Sequence, residues 1–178
     1  DFLVGAVGRL EPIKSYDLLI KSFKIFLDQK NINAKLCIIG NGSQKEKLQK
    51  LASDLNIKNS VIFLGQKNNV YKYYPLFDCL AISSTSEGLS IALLEALSVG
   101  LPIITTHHKK EHDDIKNGQN GLLVPSGNKI ELAKAINELY KKPELRMNMK
   151  NNNLELIKKQ FNIKNSQKAY QRIYEELA

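Results

Sequence analysis

Short apolar runs alternate along the chain with longer stretches in which apolar and polar positions are mixed. A short apolar run is typical of a buried strand, and the runs therefore predict strands. The predicted strands occupy residues 2–7, 35–39, 61–64, 79–82, 102–105 and 121–124. Because these runs are apolar at nearly every position, we expect a sheet covered on both faces.

The mixed stretches carry apolar residues three and four positions apart, which predicts helices. These helices cover residues 16–29, 44–55, 143–161 and 163–177, with a short helical piece at 70–74, a central helix ending before Gly100 and a helical turn at 113–116. Strands that alternate with helices favour a parallel sheet. We therefore expect an α/β fold, a Rossmann-like three-layer domain with a parallel sheet of about six strands, over residues 1–178 as one domain.

Several loops rich in glycine and polar residues follow the predicted strands. They are residues 8–9, 40–42, 65, 83–88 and 105–108. Ligands of open parallel sheets bind outside the carboxyl ends of the strands, so we expect these loops to share one edge and to form a site there.

Two acids interrupt the apolar stretch from Ser86 to Thr106, Glu87 and Glu95, with seven residues between them. Gly100 and Pro102 end the helix that contains Glu95, which places this carboxylate inside a mostly buried helix. The other interpretation is an ordinary amphipathic helix with one exposed stripe, formed by Leu94, Glu95 and Ser98, and a loop acid at Glu87.

The start of the same helix predicts an anion site. Ser90 is the expected N-cap, and the backbone amides of Gly88, Leu89 and Ser90 would point out of the helix start, where the helix dipole favours negative charge. Glu87 and Glu95 would then frame a site for a phosphorylated molecule.

Two cations on the loop after the first strand, Arg9 and Lys14, are candidates to hold a diphosphate, because a guanidinium binds phosphate oxygens in pairs and an ammonium adds a mobile charge. The alternative is two solvated loop cations. Residues 40–42, Gly-Asn-Gly, favour a strand-to-helix turn, with a ligand contact as a by-product. They lack the further glycines of a dinucleotide fingerprint, which argues against NAD.

Charge and histidine content point to no further ligand. The net charge is +8, but the lysines are scattered in pairs without interleaved aromatic residues, so we expect no nucleic-acid partner and at most a weak attraction to an anionic membrane surface. His108 and His112 stand four apart, yet no third ligand has firm spacing, so no metal site is predicted.

Cysteine usage and hydropathy indicate the compartment. Cys37 and Cys79 lie inside apolar runs and are expected to be buried, inert thiols. No apolar run approaches membrane-spanning length, so we expect a soluble, cytoplasmic protein, with peripheral association with the inner face of the membrane as its only contact with lipid.

A set of short motifs occurs in a characteristic order. They are Gly8-Arg9-Leu10 with Lys14, Gly40-Asn41-Gly42, Phe63-Leu64-Gly65, residues 74–78, Ser84-Thr85-Ser86-Glu87-Gly88, Leu94-Glu95-Ala96, Gly100-Leu101-Pro102 and residues 117–123. Together they resemble the C-terminal, donor-binding half of a retaining glycosyltransferase of family four, with the GT-B fold. The likeness covers nearly the whole chain, and the Glu-x(7)-Glu spacing is its most specific part.

The resemblance implies a nucleotide-sugar donor, with UDP expected, and no metal or separate cofactor. It implies that Arg9 and Lys14 neutralise the diphosphate, that Glu87 bonds hydroxyls of the donor sugar, and that Glu95 bonds the ribose hydroxyls. Amides from Gly88 through Leu89 to Ser90 would meet the phosphates. Arg9, Lys14 and Glu87 would thus be the catalytic set.

The resemblance also implies partners. The acceptor would be a cell-surface or lipid-linked glycan, held by an N-terminal domain of the same protein outside these 178 residues. We therefore expect this domain alone to bind donor but to transfer nothing. The open alternatives are a sugar-nucleotide epimerase of the same architecture and a non-catalytic nucleotide-binding module.

The sequence departs from the family pattern at two places. Ser15 stands where glycine usually follows the lysine, and residues 109–113 stand where many members have a Gly-Gly-x-Pro-Glu loop. Glu111 or Asp113 could take the place of that loop's glutamate.

Overall fold

The fold is taken from a computed structural model that describes residues 1–86, 90–107 and 115–160. Six strands form one sheet. They are β1 (Phe2–Val7), β2 (Ala34–Ile39), β3 (Val61–Gly65), β4 (Cys79–Ile82), β5 (Ile103–His107) and β6 (Gly121–Pro125). The predicted runs locate all of these, with errors of one or two residues at strand ends.

The sheet is parallel throughout, with strand order β3-β2-β1-β4-β5-β6. The chain moves outward from β1 to β3, then returns to pair β4 with the other side of β1. This reversal makes the boundary between β1 and β4 a topological switch point, where the loops that follow the two strands diverge and leave a crevice. The Rossmann-like prediction is confirmed.

Five α-helices connect or follow the described strands. They are α1 (Tyr16–Leu27), α2 (Lys45–Asp54), α3 (Ile91–Ser98), α4 (Lys129–Lys141) and α5 (Pro143–Gln160). The predicted short helical piece at 70–74 is instead a pair of 3₁₀ helices, Val70–Lys72 and Tyr74–Leu76. Pro75 lies in the second of them and has no N–H to donate to a longer α-helical ladder.

The helices predicted at 16–29, 44–55 and 143–161 are correct in place, and the first two are slightly too long. α1 ends at Leu27 instead of the predicted residue 29, and α2 ends at Asp54 instead of the predicted residue 55. No bounds were predicted for α4. Asn128 caps this helix by accepting hydrogen bonds from the amides of Ile130 and Glu131, both at 3.1 Å. The predictions for residues 113–114 and 161–177 lie outside the described residues. The described part of the turn predicted at 113–116, Ile115 and Lys116, is not helical.

Two hydrophobic clusters cover the two faces of the sheet. Alternate strand residues point to opposite faces, so Leu36 and Ile38 join the cluster under α1 and α4, whereas Cys37 and Ile39 join the cluster under α3. The expectation of a sheet covered on both faces is confirmed.

The two cysteines lie in this core. Both Cys37 and Cys79 are free and buried. Burial raises the pKa of the Cys37 thiol to about 11 and that of Cys79 still further. Thiols that stay protonated near neutral pH are poor nucleophiles, which agrees with the predicted inert role. No helix in the described part of the chain is long and apolar enough to cross a membrane.

The loop after β1 and the loop after β2 pass unusually close to each other. Gly40 has φ +148°, and a Cβ atom on it would lie 1.9 Å from the carbonyl oxygen of Gly8. A Cβ atom on Gly42 would lie 2.6 Å from the carbonyl oxygen of Leu10. These glycines are therefore required by contact between two backbone segments, which supports the interpretation of residues 40–42 as a turn.

We expect Gly40→Ala to lower the free energy of unfolding by about 2 kcal/mol or more, because the new methyl group forces one of the two loops to move. Gly127→Ala is the matched control, since Gly127 also has positive φ, +74°, but a Cβ atom on it would meet no other atom within 4 Å. That control should cost only about 1 kcal/mol of backbone strain. Chemical denaturation measures both, and equal losses would contradict the proposed close contact.

Candidate functional site

Arg9 lies at the carboxyl edge of the sheet, two residues after β1 ends at Val7. Its side chain is exposed, while the next residue, Leu10, is fully buried. The amide of Gly8 donates to the carbonyl of Ile39 at 3.0 Å, and the amide of Leu10 donates to the carbonyl of Asn41 at 2.9 Å. Backbone bonds on both sides therefore fix the chain that carries the guanidinium.

A carboxylate reinforces the junction between these two loops. Glu11 accepts hydrogen bonds from the Ser43 amide at 3.0 Å and from the Ser43 hydroxyl at 2.7 Å. Both bonds lower the pKa of Glu11, and the bond from the Ser43 hydroxyl has the larger effect. The carboxylate therefore remains ionised in this contact near neutral pH. Glu11 and Ser43 were not predicted, because nothing in the sequence links residues on separate loops.

Lys14 ends a 3₁₀ helix, Pro12–Lys14, and is half-buried. Its carbonyl accepts a hydrogen bond from the Ser83 hydroxyl at 2.7 Å, and the amide of Thr85 donates to the carbonyl of Ile13 at 2.8 Å. The loop after β1 is thus joined to the segment after β4, across the switch point of the sheet.

The backbone conformation of Ser15 shows why glycine usually stands at this position of the family pattern. Its backbone is left-handed, with φ 48° and ψ 42°, in the conformation that glycine adopts without strain. Serine adopts it at a cost on the order of 1 kcal/mol. The turn between Lys14 and α1 is therefore kept although the glycine is not.

Lys14 and Ser90 line one small cavity at the carboxyl edge. The cavity is completed by Val7, Tyr16, Ala81, Ile82, Ser83 and Ser84. Ser90 is the N-cap of α3, as predicted, and its carbonyl accepts from the amide of Leu94 at 3.1 Å. Its hydroxyl makes no capping hydrogen bond. The start of α3 nevertheless lies beside the lysine loop.

Glu95 lies five residues further along α3, roughly 7.5 Å along the helix axis from Ser90. It is half-buried, and so are Leu94 and Ser98, which rules out a fully exposed stripe. The hydroxyl of Tyr74 donates to Oε2 of Glu95 at 2.9 Å. Burial is the main cause that raises the pKa of Tyr74 well above its usual value, and the bond to Glu95 raises it further. The phenol therefore stays protonated and donates the hydrogen bond.

Sequence reasoning missed Tyr74 as a partner of Glu95. The two residues are 21 positions apart and lie on different elements. The only signal was that Tyr74 begins one of the motifs shared with the family.

The remaining predicted residues lie outside the described part of the chain. They are Glu87, Gly88, Leu89, His108, Glu111, His112 and Asp113. Within residues 1–86, 90–107 and 115–160, no group of three or more histidine, cysteine, aspartate or glutamate residues could hold a metal ion.

A larger cavity, of about 360 Å³, lies at the opposite ends of the strands, against Pro102 and the first turns of α5. Asp78 and Arg146 line it. Asp78 already accepts from the Leu3 amide at 2.8 Å and pairs with Arg146 at 3.8 Å. This pair joins β1 to α5, which gives it a structural role. None of the predicted site residues lines this cavity, but Tyr74, the hydrogen-bond partner of Glu95, does.

Comparison with known proteins finds glycosyltransferases among the relatives of this chain. At 41% identity over 127 residues, the chain matches an uncharacterised glycosyltransferase of Methanocaldococcus jannaschii, covering 71% of this chain and 29% of that protein. At 31% identity over 152 residues, it matches the N-acetylgalactosamine-N,N'-diacetylbacillosaminyl-diphospho-undecaprenol 4-alpha-N-acetylgalactosaminyltransferase of Campylobacter jejuni, covering 85% of this chain and 40% of that protein. The chain thus spans less than half the length of either relative.

A solved structure agrees in fold. A crystal structure of an S. aureus TarM mutant in complex with Fondaparinux, alpha-GlcNAc-glycerol and UDP superposes with a TM-score of 0.89 at 25% identity, covering 97% of this chain and 35% of that one. The neighbouring folds are those of GT-B glycosyltransferases, and this chain corresponds to the C-terminal half of that fold. The family of glycosyl transferases group 1 matches residues 1–156. The chain therefore belongs to the glycosyl transferases group 1 family.

Proposed function

We propose that this chain is the donor-binding domain of a retaining glycosyltransferase that takes a UDP-sugar. The observation that carries the proposal is the junction at the carboxyl edge, where the loop bearing Arg9 and Lys14 meets the start of α3, the helix that carries Glu95. Family membership supports a glycosyltransferase, and the similar TarM structure contains UDP.

The proposed chemistry follows from the charge that develops during transfer. As the bond between the sugar and the diphosphate breaks, negative charge grows on the leaving phosphate oxygen. Fixed cations stabilise such charge without having to reorganise, which is the role we assign to Arg9 and Lys14. The backbone amides of Gly88, Leu89 and Ser90 would contribute in the same way.

The two acids have separate roles in the proposal. Glu95 accepts hydrogen bonds from the ribose hydroxyls, and Glu87 accepts them from hydroxyls of the donor sugar. Hydrogen bonds to a carboxylate are stronger than those to a neutral acceptor, which suits a site that must orient a flexible ligand in water. The sugar is transferred with retention at its anomeric carbon, and no metal is required.

The acceptor is proposed to be a cell-surface or lipid-linked glycan, bound by an N-terminal domain. The Campylobacter relative supports a lipid-linked acceptor, since its name specifies a diphospho-undecaprenol compound. The donor domain by itself would bind UDP but leave the sugar in place. An epimerase or a non-catalytic module finds no support among relatives that are named as glycosyltransferases.

Titration of the 178-residue chain with UDP tests donor binding. We expect calorimetry to give a dissociation constant of roughly 1 mM or tighter, because the two cations on the loop after β1 match the charge of a diphosphate. Uridine is the control ligand and should bind far more weakly, since it lacks the phosphates. The same chain, incubated with a labelled UDP-sugar and acceptor extract, should transfer nothing. Equal affinity for uridine and UDP would contradict the assignment of Arg9 and Lys14.

Two variants of the full-length protein separate the proposed roles. Arg9→Ala should lower kcat at saturating donor by about 10²- to 10³-fold, in addition to weakening UDP binding, because a charge that stabilises the leaving group is lost. Glu95→Ala should raise the dissociation constant for UDP by about 10-fold or more, through lost hydrogen bonds to ribose, with a smaller effect on kcat at saturating donor.

Lys50→Ala is the control for these variants, since Lys50 is an exposed cation on α2 and belongs to no part of the proposed site. It should leave kcat and donor affinity unchanged. Steady-state kinetics with a UDP-sugar gives these constants, and proton NMR of the product gives the anomeric configuration. Wild-type kinetics in both Arg9→Ala and Glu95→Ala would remove the assigned roles.

A further inference from the structure

The contact between Tyr74 and Glu95 joins a fully buried side chain to a half-buried one. The Tyr74 side chain has no exposed surface, and its hydroxyl lies 2.9 Å from Oε2 of Glu95. Glu95 occupies the middle of a helix whose other residues are, apart from serine, all apolar. A carboxylate in such a helix needs a polar partner on its buried side, and the phenol supplies it.

We propose that Tyr74 is a positioning residue that holds the Glu95 carboxylate in the orientation required by the donor's ribose. The inference rests on the proposed role of Glu95 in donor binding. Part of the affinity for the nucleotide would then depend on Tyr74, which lies on a 3₁₀ helix 21 positions before Glu95.

The ring of Tyr74 is itself fixed by packing. It meets the ring of Phe77 edge to face, with 6.4 Å between centroids and 89° between planes. Phe77 in turn lies directly against β1, where a Cβ atom on Gly5 would come within 2.1 Å of its ring. The sheet therefore holds Phe77, and Phe77 holds Tyr74, so the hydroxyl is a fixed donor.

A fixed donor restricts a flexible acceptor. A glutamate side chain has three rotatable bonds, and a half-buried one samples several rotamers unless something selects among them. The bond from Tyr74 occupies Oε2 and leaves Oε1, with its lone pairs, for a ligand. If Glu95 turned away, the buried phenol would lose this bond, and this penalty further favours the observed rotamer.

The competing explanation is a purely structural bond between α3 and the 3₁₀ helix Tyr74–Leu76. Removal of the hydroxyl would then lower stability but would not distinguish one nucleotide from another. A positioning role predicts a loss that appears only with ligands whose ribose hydroxyls can reach Glu95. The two explanations are therefore separable by a pair of ligands.

The experiment compares UDP with 2′,3′-dideoxy-UDP, which lacks both ribose hydroxyls, on the full-length protein. Tyr74→Phe removes one oxygen atom and keeps the ring. We expect its affinity for UDP to fall about 10-fold, as for loss of a hydrogen bond to a charged group. Its affinity for the dideoxy nucleotide should not change. With saturating donor, kcat should remain within about twofold of wild type, because the leaving-group contacts are retained.

Tyr140→Phe is the matched control, because its hydroxyl donates to the carbonyl of Asn31 at 3.3 Å on the other face of the sheet. It should leave the affinity for both nucleotides unchanged. The double variant Tyr74→Phe/Glu95→Ala should bind UDP no more weakly than Glu95→Ala alone, because Tyr74 acts through Glu95. For each variant, the affinities for UDP and for the dideoxy nucleotide are measured on the same preparation. Any inactive fraction of the protein therefore affects both values equally and does not change their ratio.

The outcomes distinguish this inference from the proposed function. If wild-type protein binds UDP and the dideoxy nucleotide equally, Glu95 does not recognise ribose, and both the proposed role of Glu95 and the positioning role of Tyr74 fall. If wild-type protein prefers UDP and Tyr74→Phe keeps that preference in full, the positioning role alone is overturned. Loss of the preference in Tyr74→Phe, with Tyr140→Phe unaffected, supports it.

Discussion

The arrangement of the edge depends on the close approach of two backbone segments, the loop after β1 and the loop after β2. The contact leaves no room for a side chain at Gly40, where a Cβ atom would lie 1.9 Å from the Gly8 carbonyl oxygen. The amide of Gln44 donates to the carbonyl of Leu10 at 2.9 Å, and Glu11 bonds Ser43 through its carboxylate. The loop that bears Arg9 and Lys14 is thereby held on one side.

The same loop is held on its other side by the segment after β4. The Ser83 hydroxyl and the Thr85 amide donate to successive carbonyls, those of Lys14 and Ile13. Because β1 and β4 flank the switch point of the sheet, these bonds cross the place where ligands of this architecture bind. A loop with contacts on both sides fixes the backbone positions from which the Arg9 and Lys14 side chains extend, which reduces the reorganisation that a charge-stabilising site would need.

The hydrophobic pattern of the sequence correctly predicted the layers of the fold and the location of most strands and helices. Buried parallel strands are apolar at nearly every position, and this pattern survives without knowledge of tertiary contacts. What it could not supply were contacts between distant residues. Tyr74 and Glu95, or Glu11 and Ser43, meet only because the sheet brings separate loops and helices together. The left-handed turn at Ser15 could not be predicted from serine, which does not favour that conformation; the one signal was the glycine that usually stands at this position in the family.

The central claim is that Arg9, Lys14 and Glu95 hold one nucleotide diphosphate at the carboxyl edge of the sheet, and a crystal structure of the full-length protein with UDP tests it most directly. We expect phosphate oxygens within hydrogen-bonding distance of the Arg9 guanidinium and the Lys14 ammonium, with both ribose hydroxyls at the Glu95 carboxylate. UDP bound instead in the 360 Å³ cavity beside Asp78 and Arg146, with the Glu95 carboxylate uncontacted, would contradict it.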